Sequence, residues 1–284
     1  MPGFYRLLLL VVLGYVGYAL LLLLFQGHLI YPGRSLVPTA VPSGVAAAAE
    51  TFWIVTSFGK VEGRFVAPKS AGRQPVVIVF HGNGELVDDL SPELERLRRI
   101  GCGILLVEYP GYGRSSGRPH QRSLAETALA AFDMVVQRPE VDPKRIVSFG
   151  VSLGAGPAIA LAVQRPVRAL ILAAPPASLR PFAHKRLLPS FLLRDTFDNA
   201  VLIKGFNGPT LVLHGDHDVI IPPSHGQQVA AAAVQGLLVS IFADHNDLLG
   251  MPGFWKAVER FLLTAGVTAL PTGALVPLPG DSAV

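Results

Sequence analysis

A serine becomes an acyl acceptor when a neighbouring base takes its proton and hydrogen-bond donors await the oxyanion on the attacked carbonyl. Two serines of this chain stand in the Gly-x-Ser-x-Gly spacing that suits such chemistry, Gly113-Arg-Ser115-Ser-Gly117 and Gly150-Val-Ser152-Leu-Gly154. Their surroundings differ. Ser152 follows the apolar run 146–149 and opens the small-residue run 153–163, so it reads as a strand-to-helix turn. On such a turn Gly150 and Gly154 are needed because a Cβ would meet neighbouring backbone. The serine oxygen is exposed, the Leu153 amide faces the developing oxyanion, and the helix start adds positive potential. Ser115 follows Tyr109-Pro-Gly-Tyr-Gly113, a turn-rich loop, and starts no helix. Ser152 is the candidate nucleophile and Leu153 N–H a candidate oxyanion donor. Close packing of strand on helix would explain the two glycines but not the serine.

A second oxyanion donor is sought where a Gly-rich turn follows a strand. His81-Gly-Asn83-Gly84 follows the apolar run 76–80, and Asn83 N–H is the candidate. His81 itself is expected to hold neighbouring loops. The base is expected late in the chain, at His245 in Ala243-Asp-His-Asn-Asp247. The acid is expected one loop earlier, in His214-Gly-Asp216-His-Asp218-Val-Ile-Ile-Pro222. Asp216 and Asp218 both compete there, and the spacing leans to Asp218. His217 and His225 are alternative bases, expected instead in surface or capping roles. By type, His214, Asp216, His217 and Asp218 resemble metal ligands, but the sequence offers no second cluster, and no metal or other cofactor is expected. Gly154-Ala-Gly156 lacks the third glycine of a dinucleotide fingerprint.

These residues need a scaffold that brings four loops to one edge. Strand-type runs at 76–80, 104–108, 146–149, 169–173, 210–213 and 238–242 alternate with helix-type runs at 86–100, 124–137, 153–163, 224–234 and 254–263. That alternation predicts an α/β fold, a mostly parallel sheet with helices on both faces. Runs at 52–58 and 61–66, separated by Gly59-Lys60, predict a hairpin ahead of it. Ser123 and Glu126 predict a capping box at the start of the second helix. The irregular stretch 175–207 reads as a short cap-like insertion. It is short for a lid, which predicts an accessible site; its Phe182, Leu187, Leu188, Phe191, Leu192 and Leu193 suit an acyl pocket or plain core packing. Residues 265–284 read as a loose tail, and the lone cysteine, Cys102, as a buried structural thiol.

Half of the 284 residues are hydrophobic, and much of the excess is N-terminal. Residues 7–25 carry no charge, about enough to cross the ~30 Å hydrocarbon layer as a helix. The run is apolar all round, and no small-x-small cleavage site follows, which predicts an uncleaved anchor over a signal peptide. The expected organisation is an anchor at 1–30, a Pro/Gly/Ala-rich linker at 31–50, the hydrolytic domain at 51–264 and the tail. Arg6 precedes the apolar run and the next basic residue is Arg34, which predicts an inside N-terminus. Ala, Gly and Pro usage suggests a GC-rich bacterial gene, which would put the domain in the periplasm. Net charge is only +4, and no basic stripe interleaved with aromatics suggests nucleic-acid binding.

Taken together the motifs resemble the Bem46-like group of serine α/β-hydrolases, which includes membrane-anchored members. The resemblance runs from about Gln26 to Leu263. It is carried by Leu29-Ile-Tyr-Pro32, His81-Gly-Asn-Gly84, Glu108-Tyr-Pro-Gly-Tyr-Gly-Arg-Ser-Ser-Gly117, Gly150-Val-Ser-Leu-Gly154, Phe197-Asp-Asn199, the 214–222 loop and His245-Asn-Asp247. It implies an α/β-hydrolase fold, Ser152 as nucleophile and His245 as base. It also selects Asp218, four residues before Pro222, as the acid. Glu108 stands where the group usually has Asp, and Ala243-Asp244 replaces a Gly-rich approach to the histidine. The implied activity is hydrolysis of an ester, thioester or amide through an acyl-enzyme. The favoured substrate is a small-molecule or lipid-like acyl ester near the membrane, with a peptide second. An acyltransferase on the same residues and a silent membrane-tethered binding protein are the other readings.

Overall fold

The computed structural model describes residues 2–38, 49–89 and 92–268. The scaffold is one eight-stranded sheet. A hairpin of β1 (Glu50–Thr56) and β2 (Gly59–Val66) leads into β3 (Gln74–Phe80) and β4 (Gly103–Val107). Then come β5 (Val141–Val151), β6 (Ala169–Ala173), β7 (Pro209–Gly215) and β8 (Gln235–Ile241). The spatial order is β1-β2-β4-β3-β5-β6-β7-β8. β1, β2 and β4 pair antiparallel, and β4 through β8 run parallel.

The central strands are apolar at every position because both faces are covered. In β3, Val76, Ile78 and Phe80 enter one core layer while Val77 and Val79 enter the other. The first layer packs under α3 (Gln121–Val135), α4 (Ala155–Gln164) and α7 (Pro223–Ala232). The second packs under α2 (Glu95–Arg99) and α8 (Pro252–Thr264), with Phe254 and Trp255 fully buried. Cys102 is buried in that layer, and burial pushes its thiol up to about 12.

The chain winds β3 to β4 on one side and then crosses back to β5 on the other. A crevice opens where such a winding reverses, outside the carboxyl ends of the strands. The loops after β3, β5, β7 and β8, which hold the candidate residues, all leave that edge.

Several local expectations are corrected. The helix expected at 86–100 is only α2, preceded by two single 3-10 turns (Val87–Asp89 and Pro92–Leu94). Pro92 lacks the amide that would continue a helix. The hairpin turn falls at Ser57-Phe58, and Gly59 already pairs in β2. The cap of α3 is His120, whose Nδ1 accepts from Ser123 N–H while Ser123 Oγ accepts from His120 N–H. Glu126 instead receives the backbone amide and hydroxyl of Ser57, tying α3 to the hairpin turn. The tail begins packed, since Val267 is buried and its carbonyl accepts from Arg145; residues 269–284 lie outside the described residues.

Ahead of the sheet runs α1 (Pro2–Ile30), with its span Gly3–Ile30 long and apolar enough to cross a membrane. It is followed by a 3-10 turn, Pro32–Ser35, inside the stretch expected as linker. Half of that linker, 39–48, lies outside the described residues. The insertion after β6 holds α5 (Arg180–Lys185) and α6 (Asn199–Leu202).

Ile171 is fully buried in the middle of β6 between two parallel neighbours. Ile171→Ala should cost about 2–5 kcal/mol of unfolding free energy, whereas Val55→Ala at the exposed face of β1 should change it by no more than about 0.5. Chemical denaturation in one detergent checks both.

Candidate active site

Ser152 has φ 51°, a left-handed conformation uncommon for a side chain with a Cβ. Two glycines make the turn possible. A Cβ on Gly150 would collide with the Gly154 carbonyl and Ala155 Cα, and one on Gly154 with the Phe80 and His81 carbonyls. The turn is thus wedged between its own helix start and the end of β3.

Ser152 Oγ lies 3.1 Å from His245 Nε2, and His245 Nδ1 lies 2.6 Å from Asp218 Oδ2. The other Asp218 oxygen accepts from the amides of Ile220 (2.9 Å) and Ile221 (2.7 Å). Asp218 is buried, and the His245 side chain is 13% exposed. The structure therefore brings together the three residues the sequence nominated. Asp216 is turned outward and pairs with exposed His217 at 2.6 Å.

Two further histidines stand behind this chain. His214 Nε2 lies 2.8 Å from Ile221 O and 3.3 Å from Asp218. Burial pushes this imidazole below its ordinary pKa, so it is neutral at pH 7. A neutral His214 leaves the carboxylate charge of Asp218 to His245. His225, expected in a surface or capping role, is buried, and its Nδ1 accepts the amide of Ala177 at 3.0 Å. That amide follows β6 and needs an acceptor once buried. Among the described residues no group of three or more His, Cys, Asp or Glu is disposed to hold a metal ion.

The candidate oxyanion segment is held from behind. His81 is fully buried, with Nδ1 2.8 Å from Gly82 O and Nε2 2.7 Å from Glu108 Oε1. Both partners are acceptors, so the ring carries both protons. Burial pulls its pKa down, but the charge and hydrogen bond of Glu108 outweigh that and the net direction is upward. With Gly82 O drawn toward His81, the trans peptide turns Asn83 N–H the opposite way. Asn83 lines the same cavity as Ser152 and Leu153. The Asn83 carbonyl is fixed by Gly33 N–H and Tyr112 OH, each at 3.0 Å. Glu108 also accepts the amides of Val87 and Tyr109, and so caps that loop with its carboxylate.

The other Gly-x-Ser-x-Gly is a clip. Ser115 Oγ accepts Glu62 N–H (3.0 Å) and Ser116 Oγ accepts Lys60 N–H (2.8 Å), fastening the loop to β2. Arg114 bridges Glu62 and Asp88, and Arg64 pairs with the same two. Sequence reasoning missed this buried network. Its signal was charge inside an apolar strand, Glu62 and Arg64 in Val61-Glu-Gly-Arg-Phe65.

The cavity at Ser152 measures about 290 Å³. It is partly open, as the short insertion led one to expect, but it is walled as well: Leu22, Gln26, Leu29 and Ile30 of α1 line one side and insertion residues such as Phe182 and Leu188 the other.

The comparisons agree with this architecture. A family model described as alpha/beta hydrolase fold matches residues 75–202. The chain is 30% identical over 219 residues to alpha/beta hydrolase domain-containing protein 17C of Xenopus tropicalis, covering 76% of this chain and 70% of that protein. The chain belongs to the α/β-hydrolase family. An uncharacterized protein of Mycobacterium tuberculosis is 36% identical over 254 residues, covering 85% of this chain and 89% of its own. Among solved structures, Est1E of Butyrivibrio proteoclasticus with ferulic acid bound superposes with a TM-score of 0.67 at 20% identity. It covers 76% of this chain and 100% of that one. This α/β-hydrolase is thus supported in fold by its neighbours, and the Bem46-like subgroup rests on the sequence motifs alone.

The raised pKa of His81 makes a signed prediction. The native state holds a proton that the unfolded chain releases near pH 6.5. The stabilisation is therefore complete below that pH and is lost as pH rises through the native value. The stability gap between wild type and His81→Gln should be widest at pH 6 and narrow steadily toward pH 9. Thermal unfolding across that range reads it, and a gap that does not vary with pH would refute the charged pair.

Proposed function

We propose that this protein is a membrane-anchored serine hydrolase that cleaves an ester, thioester or amide through an acyl-enzyme. The unbroken hydrogen-bond chain from Asp218 through His245 to Ser152, on a strained turn, carries the reading. Ser152 Oγ attacks the acyl carbonyl carbon while His245 Nε2 takes its proton. The charge moves onto the carbonyl oxygen, where the Leu153 and Asn83 amides receive it. Asp218, held by two amides, keeps Nδ1 protonated and stabilises the imidazolium. Collapse expels the leaving group, which takes the proton from His245. Water then adds by the same route in reverse, and the acid product leaves.

In this reading α1 stays attached, since hydrogen bonds from its second half to the insertion support a retained helix over a cleaved leader. Its flanking charges favour an extracytoplasmic body. A reporter fused after Val284 should be active outside and silent in the cytoplasm; the opposite pattern would reverse the topology.

The direct test is labelling of the full chain in membranes by a fluorophosphonate probe. Wild type should label, and Ser152→Ala and His245→Ala should not. Ester turnover by Ser152→Ala should fall on the order of 10³-fold or more. Unchanged turnover in pure, folded Ser152→Ala would refute the assignment.

A further inference from the structure

The α1 residues at the cavity belong to a longer stripe: Tyr15, Tyr18, Leu22, Gln26 and Leu29 recur every three or four residues and so share one helix face, and Leu22, Gln26 and Leu29 of it line the cavity. That face meets the insertion along its length. Tyr15 OH donates to Leu187 O and Tyr18 OH to Arg186 O, both at 2.9 Å. Gln26 Nε2 donates to Leu192 O (3.3 Å) and its Oε1 accepts Arg194 N–H (2.8 Å). Backbone groups of an irregular segment need such partners where no water can reach them. From Tyr15 to Ile30 the helix rises about 22 Å, so the tip of the insertion lies beside the middle of α1. With α1 across a bilayer, that tip is level with one leaflet. Its outermost apolar side chains, Leu187 and Phe191, are 73% and 81% exposed. Lys185 and Arg186 next to them have stems long enough to carry their charge toward headgroups.

We infer that the cleft between α1 and the insertion is an acyl slot open to the leaflet, and that the substrate is an acyl ester of a membrane lipid whose chain enters sideways from the bilayer. The inference rests on the serine hydrolase reading above and gives it a substrate class. The slot runs from the α1 stripe to Ser152, lined by Leu22, Leu29, Leu179, Phe182 and Leu188. Its volume of about 290 Å³ suits one chain. The ester carbonyl at the inner end meets Ser152, Leu153 and Asn83, and the leaving alcohol stays on the leaflet side. The anchor is then a wall of the substrate site as well as a tether.

The test uses the full chain in phosphatidylcholine vesicles with p-nitrophenyl acetate, p-nitrophenyl decanoate and a vesicle-borne diacyl ester carrying a fluorescent chain. Wild type should cleave the decanoate at least tenfold better in kcat/KM than the acetate, and should release the fluorescent chain. Leu22→Trp and Leu29→Trp, which fill the slot from the α1 side, should lower the decanoate-to-acetate ratio at least tenfold. Leu10→Trp, on an exposed part of α1, should keep the wild-type ratio. Phe182→Ala widens the slot from the insertion and should raise the ratio for chains longer than decanoate, which keeps the idea testable if a Trp variant misfolds. A ratio unmoved by all slot variants would overturn the acyl slot while leaving the serine hydrolase intact. Cleavage of soluble esters with none of the vesicle-borne lipid would overturn lateral entry. Wild type that cleaves neither soluble ester would instead remove the hydrolase reading on which the slot depends.

Discussion

The close approach of Gly154 to the carbonyl end of β3 is the contact on which the active edge depends. β3 and β5 pair in parallel register, with Phe80 opposite Gly150. That register puts the loop after β3 and the turn after β5 side by side, and a hydrogen in place of a side chain lets them touch. The two amides nominated for the oxyanion come one from each loop. If the register slipped by one residue, every side chain of the strand would change face and the two loops would part. The left-handed backbone at Ser152 is therefore maintained by an entire sheet, since the strain at one residue is small against the burial that fixes the strands.

Charge around the site is arranged by burial as much as by pairing. His81, His214 and His245 are held differently within this edge. His214 is kept neutral by desolvation, so it lies beside Asp218 without drawing its charge from His245. His81 has a carboxylate at its far nitrogen and holds its proton upward of the ordinary value. Of these, His245 alone reaches both Ser152 and Asp218. Residue type would not have separated these roles; what each ring nitrogen faces does.

The parts of this fold that the sequence made legible are those governed by local rules. Continuous apolar runs gave the buried strands, and the glycine pair around Ser152 identified the turn because no other residue fits there. Selection of Asp218 over Asp216 needed the motif resemblance, since both sit in one loop. The physical reason appeared only with the amides of Ile220 and Ile221 and with Asp216 facing solvent. The misread elements share a cause. His120 is not an ordinary cap residue, and Ser123-x-x-Glu126 matched the capping pattern three residues too late. The partner of Glu126 is 69 positions away, beyond any local pattern. The buried charges of Glu62, Arg64 and Asp88, bridged by Arg114 from the loop after β4, likewise join residues that only topology brings together.

The relation of α1 to the insertion lies in the same blind region, and it bears on what the molecule can select. A purely tethering helix needs only to be long and apolar, and any arrangement of its residues around the axis would serve. Two tyrosines and a glutamine on one face of an otherwise apolar helix are costly in hydrocarbon unless they find partners. Here all three find backbone partners on the insertion. Those bonds fix the height and rotation of the helix against the domain, which tethering does not require. They hold Leu22 and Leu29 at the mouth of the cavity that ends at Ser152. On the proposal that α1 spans a membrane, a helix so fixed would also set the domain's attitude to the membrane plane, and so the direction from which an acyl chain would reach Ser152.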